Sequence, residues 1–208
     1  FAQSEGALIA TASGLIFLGL AQTSLRRWTV SILIVLLFLA ALLPSWRLYA
    51  TNVLTFNFDS GSIRLLQWKD TVRMLADNTI FGAGLSGYPT RFASYHSAAS
   101  YIEIYQYPHN ILLNFWSEMG LLGVISFMWI VIWFYRLSLR GLKNRGNLGD
   151  RVPRHGGVAM TVPLAATMVT ILVHGLVDVP YFKNDLAIFF WLLIALLIIQ
   201  SHPNDATT

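Results

Sequence analysis

The chain has 208 residues, 55% of them apolar and 12% charged, with a formal net charge of +4 and no cysteine. A soluble domain carries roughly 25% charged residues, so the composition excludes an ordinary soluble enzyme, and the missing thiols exclude disulfides and cysteine-based metal sites. The basic excess sits in loops between apolar runs, which makes it a topology signal and sets aside a nucleic-acid partner.

The first apolar run, Gly6–Gln22, begins almost at Phe1. No basic region or cleavage site precedes it, so it reads as a helix and not a signal peptide, and the sequence as the C-terminal part of a longer protein. Arg26 and Arg27 occupy a short turn before the second run, Trp28–Pro44. A long polar segment, 45–108, follows. Within it Leu65, Trp68, Val72, Leu75 and Ala76 fall at helical spacing, which predicts an amphipathic helix capped by Asp59 or Ser60 and ending near Asn78. Phe81-Gly82-Ala83-Gly84-Leu85-Ser86-Gly87-Tyr88-Pro89 is a turn, and Tyr95–Tyr107 is rich in tyrosine, as an aromatic belt or a sugar-stacking surface would be. The third run is Asn110–Tyr135. A basic loop with Arg136, Arg140, Lys143, Arg145, Arg151 and Arg154 separates it from Gly156–Leu176 and Asp185–Gln200. A span takes about 17–25 apolar residues at ~1.5 Å each, and in lipid such a segment must be helical to satisfy its own backbone. The expected architecture is therefore an all-α transmembrane bundle of about five spans. The basic loops place 136–155 in the cytoplasm and 45–108 outside.

Four constellations carry possible chemistry. His109 is held between Pro108, which cannot continue a helix, and Asn110, which can cap the next one. An imidazole of ordinary pKa ~6.5 can take a hydroxyl proton near neutrality; a chemically idle interfacial histidine is the competing reading. Asn110, Asn114, Ser117 and Glu118 form a polar stripe on one helix face, serving either a cavity or a contact between helices. Arg64 opens the amphipathic helix and suits a phosphate, or is simply solvated. His174 and Asp178, four apart, form either a catalytic dyad or a hydrogen-bonded helix end. The glycine turn fits G-x-G-x-x-G, but a helix precedes it and Pro89 follows, so it is not a dinucleotide site.

Three stretches taken in order resemble the O-antigen ligase and polymerase superfamily of bacterial envelope proteins. Gly61-Ser62-Ile63-Arg64-Leu65-Leu66-Gln67-Trp68 resembles its G-R-…-W helix. Asp77-Asn78-Thr79-Ile80-Phe81-Gly82-Ala83-Gly84 resembles its N-P-L-F-G-x-G turn, with Thr79 in place of proline. Pro108-His109-Asn110 through Glu118-Met119-Gly120-Leu121-Leu122-Gly123 resembles its H-N-…-E-x-G-L-x-G helix. The resemblance implies a fold related to the GT-C glycosyltransferases. It also implies transfer of a glycan from a polyprenyl diphosphate carrier to a hydroxyl of an acceptor glycan, glycolipid or protein, without metal or cofactor, at the external face of the bacterial cytoplasmic membrane. It makes His109 the base and Arg64 the diphosphate ligand. Asn110, Trp68, Arg47, Arg91, Gly82 and Gly84 are the expected substrate-binding residues, with His174, Asp178 and Glu118 as secondary candidates. One departure stands out: the family's Ser-Arg-Gly reads Ser4-Glu5-Gly6 here. Either Arg47 or Arg91 supplies the missing charge, or the substrate or activity differs.

Two other classes compete. A rhomboid-like intramembrane protease would use Ser86 of Gly84-Leu85-Ser86-Gly87 with His109 or His174 as base. A transporter would show broken helices and an internal repeat, and the sequence suggests neither.

Overall fold

A computed structural model describes residues 4–55, 59–96, 106–148, 160–179 and 184–201. Among them are eight helices and no strand: α1 (Glu5–Ala21), α2 (Thr23–Leu42), α3 (Pro44–Leu54), α4 (Asp59–Asp77), α5 (Tyr88–Phe92), α6 (Ile111–Leu148), α7 (Thr161–Gly175) and α8 (Asn184–Ser201). The all-α expectation agrees with this. Most of the tyrosine-rich stretch, the basic loop beyond Leu148 and the first residues of the fourth expected span lie outside the described residues.

Local chemistry sets the helix ends. The Ser4 hydroxyl accepts from Ala7 N–H at 3.3 Å and starts α1. Gln22 alone, in extended conformation, separates α1 from α2. Leu43 is extended too, because it precedes Pro44, which disfavours helical backbone behind it but suits the first position of α3.

Of the expected spans, α2 and residues Ile111–Arg140 of α6 are long and apolar enough to cross a membrane, whereas α1, α7 and the Leu186–Ser201 part of α8 are apolar but shorter. Among the described residues two helices are therefore of spanning length. α7 runs antiparallel to both α1 and α6. Gly6 of α1 lies against Val177 and His174, and Gly14 against Thr170 and Ala166, so the small residues let α1 and α7 approach closely. Gly175, ending α7, lies on Ile111, starting α6, while the Tyr135 hydroxyl reaches Ala165 O at 3.4 Å near the other end. A core of Phe115, Phe127, Phe134, Met168 and Phe190 joins α6, α7 and α8.

A second, smaller core belongs to the segment between α3 and α6, where Met74 and Leu75 of α4 meet Tyr88 and Phe92 of α5. The helix predicted here is present, but its buried face is only in part the apolar one expected. Gln67, Asp70, Thr71, Met74 and Leu75 are buried, whereas Leu65, Val72 and Ala76 are exposed. Hydrogen bonding offsets part of the cost: the Gln67 Nε2 and the Thr71 hydroxyl find partners inside, although Gln67 Oε1 is buried without one.

Candidate active site

The segment Tyr107–Asn110 is clamped from two sides. On one side stands α4. Gln67 Nε2 donates to Tyr107 O at 2.9 Å and to the Tyr88 hydroxyl at 3.3 Å. Tyr88 in turn lies 2.8 Å from the Thr71 hydroxyl, which donates to Gln67 O at 2.7 Å. Running from Gln67 to Tyr88 to Thr71 and back, the donors close a ring. Burial pushes the Tyr88 hydroxyl up to about 12, so it stays protonated and able to complete that ring. One residue along, the Trp68 indole N–H donates to Pro108 O at 2.8 Å.

On the other side stands the turn after α7. Asn110 caps α6 by accepting from Leu112 and Leu113 N–H at 3.0 and 3.1 Å, and its Nδ2 donates to Leu176 O at 2.9 Å. Between the clamps His109 adopts φ 48, a left-handed conformation uncommon outside glycine. Its ring packs against Tyr107, with centroids 4.7 Å apart. Its Nδ1 lies 3.4 Å from Asp178 Oδ1. Asp178 is itself fixed, accepting its neighbour's Val179 N–H on that same oxygen at 2.8 Å. His174 Nε2 stands farther off, at 3.9 Å from Asp178 Oδ2. The carboxylate expected to serve His174 is thus closer to His109. With Nδ1–H donated to Asp178, the Nε2 of His109 carries a lone pair and can act as a base.

The remaining expected residues are distributed around this centre. Arg64 is half-buried on α4, one helical turn before Trp68. Arg47 is exposed on α3, which packs on α2. Arg91 donates to Asn78 Oδ1, joining α5 to the end of α4, where Tyr95 also donates to Asp77 at 2.8 Å. Glu118 accepts the Ser86 N–H at 2.6 Å. That bond is made by the Ser86 backbone and ties the glycine turn to α6 at Glu118, nine positions after His109 in the chain.

Gly82 and Gly84 belong to a device that the sequence did not disclose. α6 is not continuous: Gly120 has φ 71 and ψ −168. A regular helix would bond Leu121 N–H to Ser117 O. Here Leu121 N–H donates instead to Ile80 O at 3.0 Å, and Ser117 O accepts from Ala83 and Gly84 N–H at 2.7 and 3.1 Å. The Trp116 indole adds a bond to Thr79 O at 2.7 Å. The glycine turn thus takes over the hydrogen bonds that the break releases. Such proximity needs glycine, since a Cβ on Gly82 would stand 2.2 Å from Trp116 O and one on Gly120 2.0 Å from Ile80 O. A broken helix is a transporter trait that the sequence had not suggested. This break is filled by backbone of the same chain, whereas a transporter's break exposes its ends to substrate. The sequence signal was available in Gly120, a glycine in the middle of an apolar run beside Glu118.

A family model described as O-antigen ligase matches residues 1–128, from α1 to the middle of α6. That stretch contains Arg64, Gly82, Gly84, His109, Asn110 and Glu118, and ends before His174 and Asp178. No curated protein matches the chain.

Proposed function

This chain belongs to the O-antigen ligase family, membrane enzymes of glycosyl transfer, and from that premise we propose that it moves a glycan from a polyprenyl diphosphate to an acceptor hydroxyl, with His109 as the base. The acceptor oxygen attacks the anomeric carbon of the lipid-linked sugar and gives its proton to His109 Nε2. The bond to the diphosphate breaks, and the diphosphate leaves with the electron pair. Asp178 holds the imidazole by Nδ1 and offsets the positive charge it gains. Arg64 receives the leaving diphosphate, where a preorganised guanidinium stabilises the developing charge in a water-poor site. No metal takes part.

The observation that carries this reading is the approach of His109 Nδ1 to Asp178 Oδ1, 3.4 Å across residues far apart in sequence. The position of Arg64 adds support: it lies one turn from Trp68, whose indole holds the carbonyl beside His109. The site is external, at the outer face of the bacterial cytoplasmic membrane. Residues 45–108 form an external loop within a single membrane domain of about five crossings, α1, α7 and α8 spanning with the help of flanking residues. The test is His109→Ala, assayed by accumulation of lipid-linked glycan against appearance of the transferred product, with protein level followed in parallel. A positioned base contributes ~10²–10⁴-fold, and a loss of that order is expected in a well-expressed variant. Full activity would end the mechanism.

A further inference from the structure

The turn between α4 and α5 carries an apolar tip that the proposed chemistry does not use. Ile80 is 62% exposed, Phe81 83% and Leu85 81%. A tight turn facing water usually presents small and polar residues, and contiguous apolar exposure marks a contact surface. What covers this one is indicated by its neighbour. Leu121 N–H bonds Ile80 O, so the tip abuts α6 just where Leu122, 71% exposed, begins an apolar stripe that continues through Ile125 and Trp129. That stripe is the face which a spanning α6 turns to lipid.

Depth and backbone chemistry agree with a lipid neighbour. Measured from Leu121, Arg136 and Arg140 lie roughly 22 and 29 Å along the helix at ~1.5 Å per residue, against a hydrocarbon core of about 30 Å. With the arginines at the cytoplasmic boundary, Gly120 and the turn reach the outer one. Irregular backbone at that depth must satisfy its polar groups within the protein. The turn does so widely: the N–H groups of Gly82, Ala83, Gly84, Ser86 and Gly87, and the carbonyls of Thr79 and Ile80, all have protein partners.

We propose that the turn is a membrane wedge, with Ile80, Phe81 and Leu85 seated among the outer-leaflet acyl chains beside Leu122. The wedge fastens α4 and α5 to the bilayer and so fixes the height of Arg64 and His109 above it. This rests on α6 crossing the membrane with its Arg136 end in the cytoplasm.

The protein has no cysteine, so single thiols report cleanly. Phe81→Cys, Leu85→Cys, Ile132→Cys and Ser94→Cys are made in the whole protein, labelled with a thiol fluorophore and placed in lipid nanodiscs. Nitroxide near the lipid headgroup should quench the labels at 81 and 85, nitroxide near the chain end the label at 132, and aqueous iodide chiefly the label at 94. Iodide quenching at 81 and 85 equal to that at 94 overturns the wedge. So does protection of 81 and 85 from both lipid and water quenchers, which would mean a protein neighbour. If 132 is also open to iodide, the spanning premise and the topology behind the proposed function fall as well. If 132 remains in lipid, the wedge alone fails.

Discussion

At the scale of single residues the candidate site turns on which histidine Asp178 serves. Local spacing favours His174, four residues before it on the same helix end, and that pairing is what a sequence suggests. The structure gives the shorter distance to His109, 3.4 Å against 3.9 Å. The reason is backbone conformation: φ 48 at His109 turns its ring toward the α7 end, and the clamps at Tyr107, Pro108 and Asn110 hold it there. Such a pairing, across 69 positions, cannot be read from local spacing. His109 itself was legible, because Pro108 and Asn110 fix a chain direction by local rules alone. A ranking follows for transfer activity. Asp178→Asn keeps an oxygen to orient the imidazole but loses the charge that stabilises its protonated form. It should cost about 10-fold or more, yet less than removal of the base, worth ~10²–10⁴-fold. His174→Ala should cost least, and any loss should follow protein level. Initial rates of product formation in the three variants, normalised to folded protein, test the order; a His174→Ala variant worse than Asp178→Asn would return the carboxylate to His174.

At the scale of elements, the helices and the glycine turn were visible in periodicity and in turn-forming residues, but their mutual dependence was not. The break in α6 exists because a segment more than thirty residues earlier supplies substitute hydrogen bonds, and no window of sequence contains both. The buried face of α4 escaped for a similar reason. Gln67 falls among the polar residues of the helix, and the partners of its Nε2, the Tyr88 hydroxyl and Tyr107 O, lie 21 and 40 positions away. The docking of turn on helix makes a graded prediction. Gly120 combines φ 71 with a Cβ position 2.0 Å from Ile80 O, whereas Gly84, at φ 86, has nothing within 4 Å of its Cβ position. Gly84→Ala should therefore pay only the conformational penalty, about 1 kcal/mol. Gly120→Ala should add to strain of roughly 1–3 kcal/mol the loss of the docked turn. Thermal unfolding in detergent should show a small shift for Gly84→Ala and a large one for Gly120→Ala. Equal shifts would mean that the turn is not seated on the break.

At the scale of the whole molecule, the antiparallel runs of α1, α6 and α7 sort the chemistry by end. Gly6, Ile111 and Gly175 gather at one end with His109, His174 and Asp178. Arg136 and Arg140 lie far along α6 toward the other. The charge pattern of the loops assigns those two ends to opposite sides of the membrane as an expectation, while α1, α7 and the Leu186–Ser201 part of α8 are shorter apolar helices than α2 and α6. A transferase acting on lipid-linked glycan outside the cell needs His109 at the external end, and a basic α6 terminus in the cytoplasm is the arrangement that the positive-inside rule favours. The two ends make opposite predictions for an impermeant thiol reagent. Ser94→Cys, on the segment that precedes the His109 clamp, should label in intact cells whose outer barrier is opened. Asn144→Cys, in the basic end of α6, should label only after the cytoplasmic membrane is permeabilised. If both label from the same side, α6 does not cross the bilayer, and the arginines no longer assign His109 to the external face. If the two sides are exchanged, His109 faces the cytoplasm, where an external acceptor cannot reach it, and the proposed transfer fails with the topology.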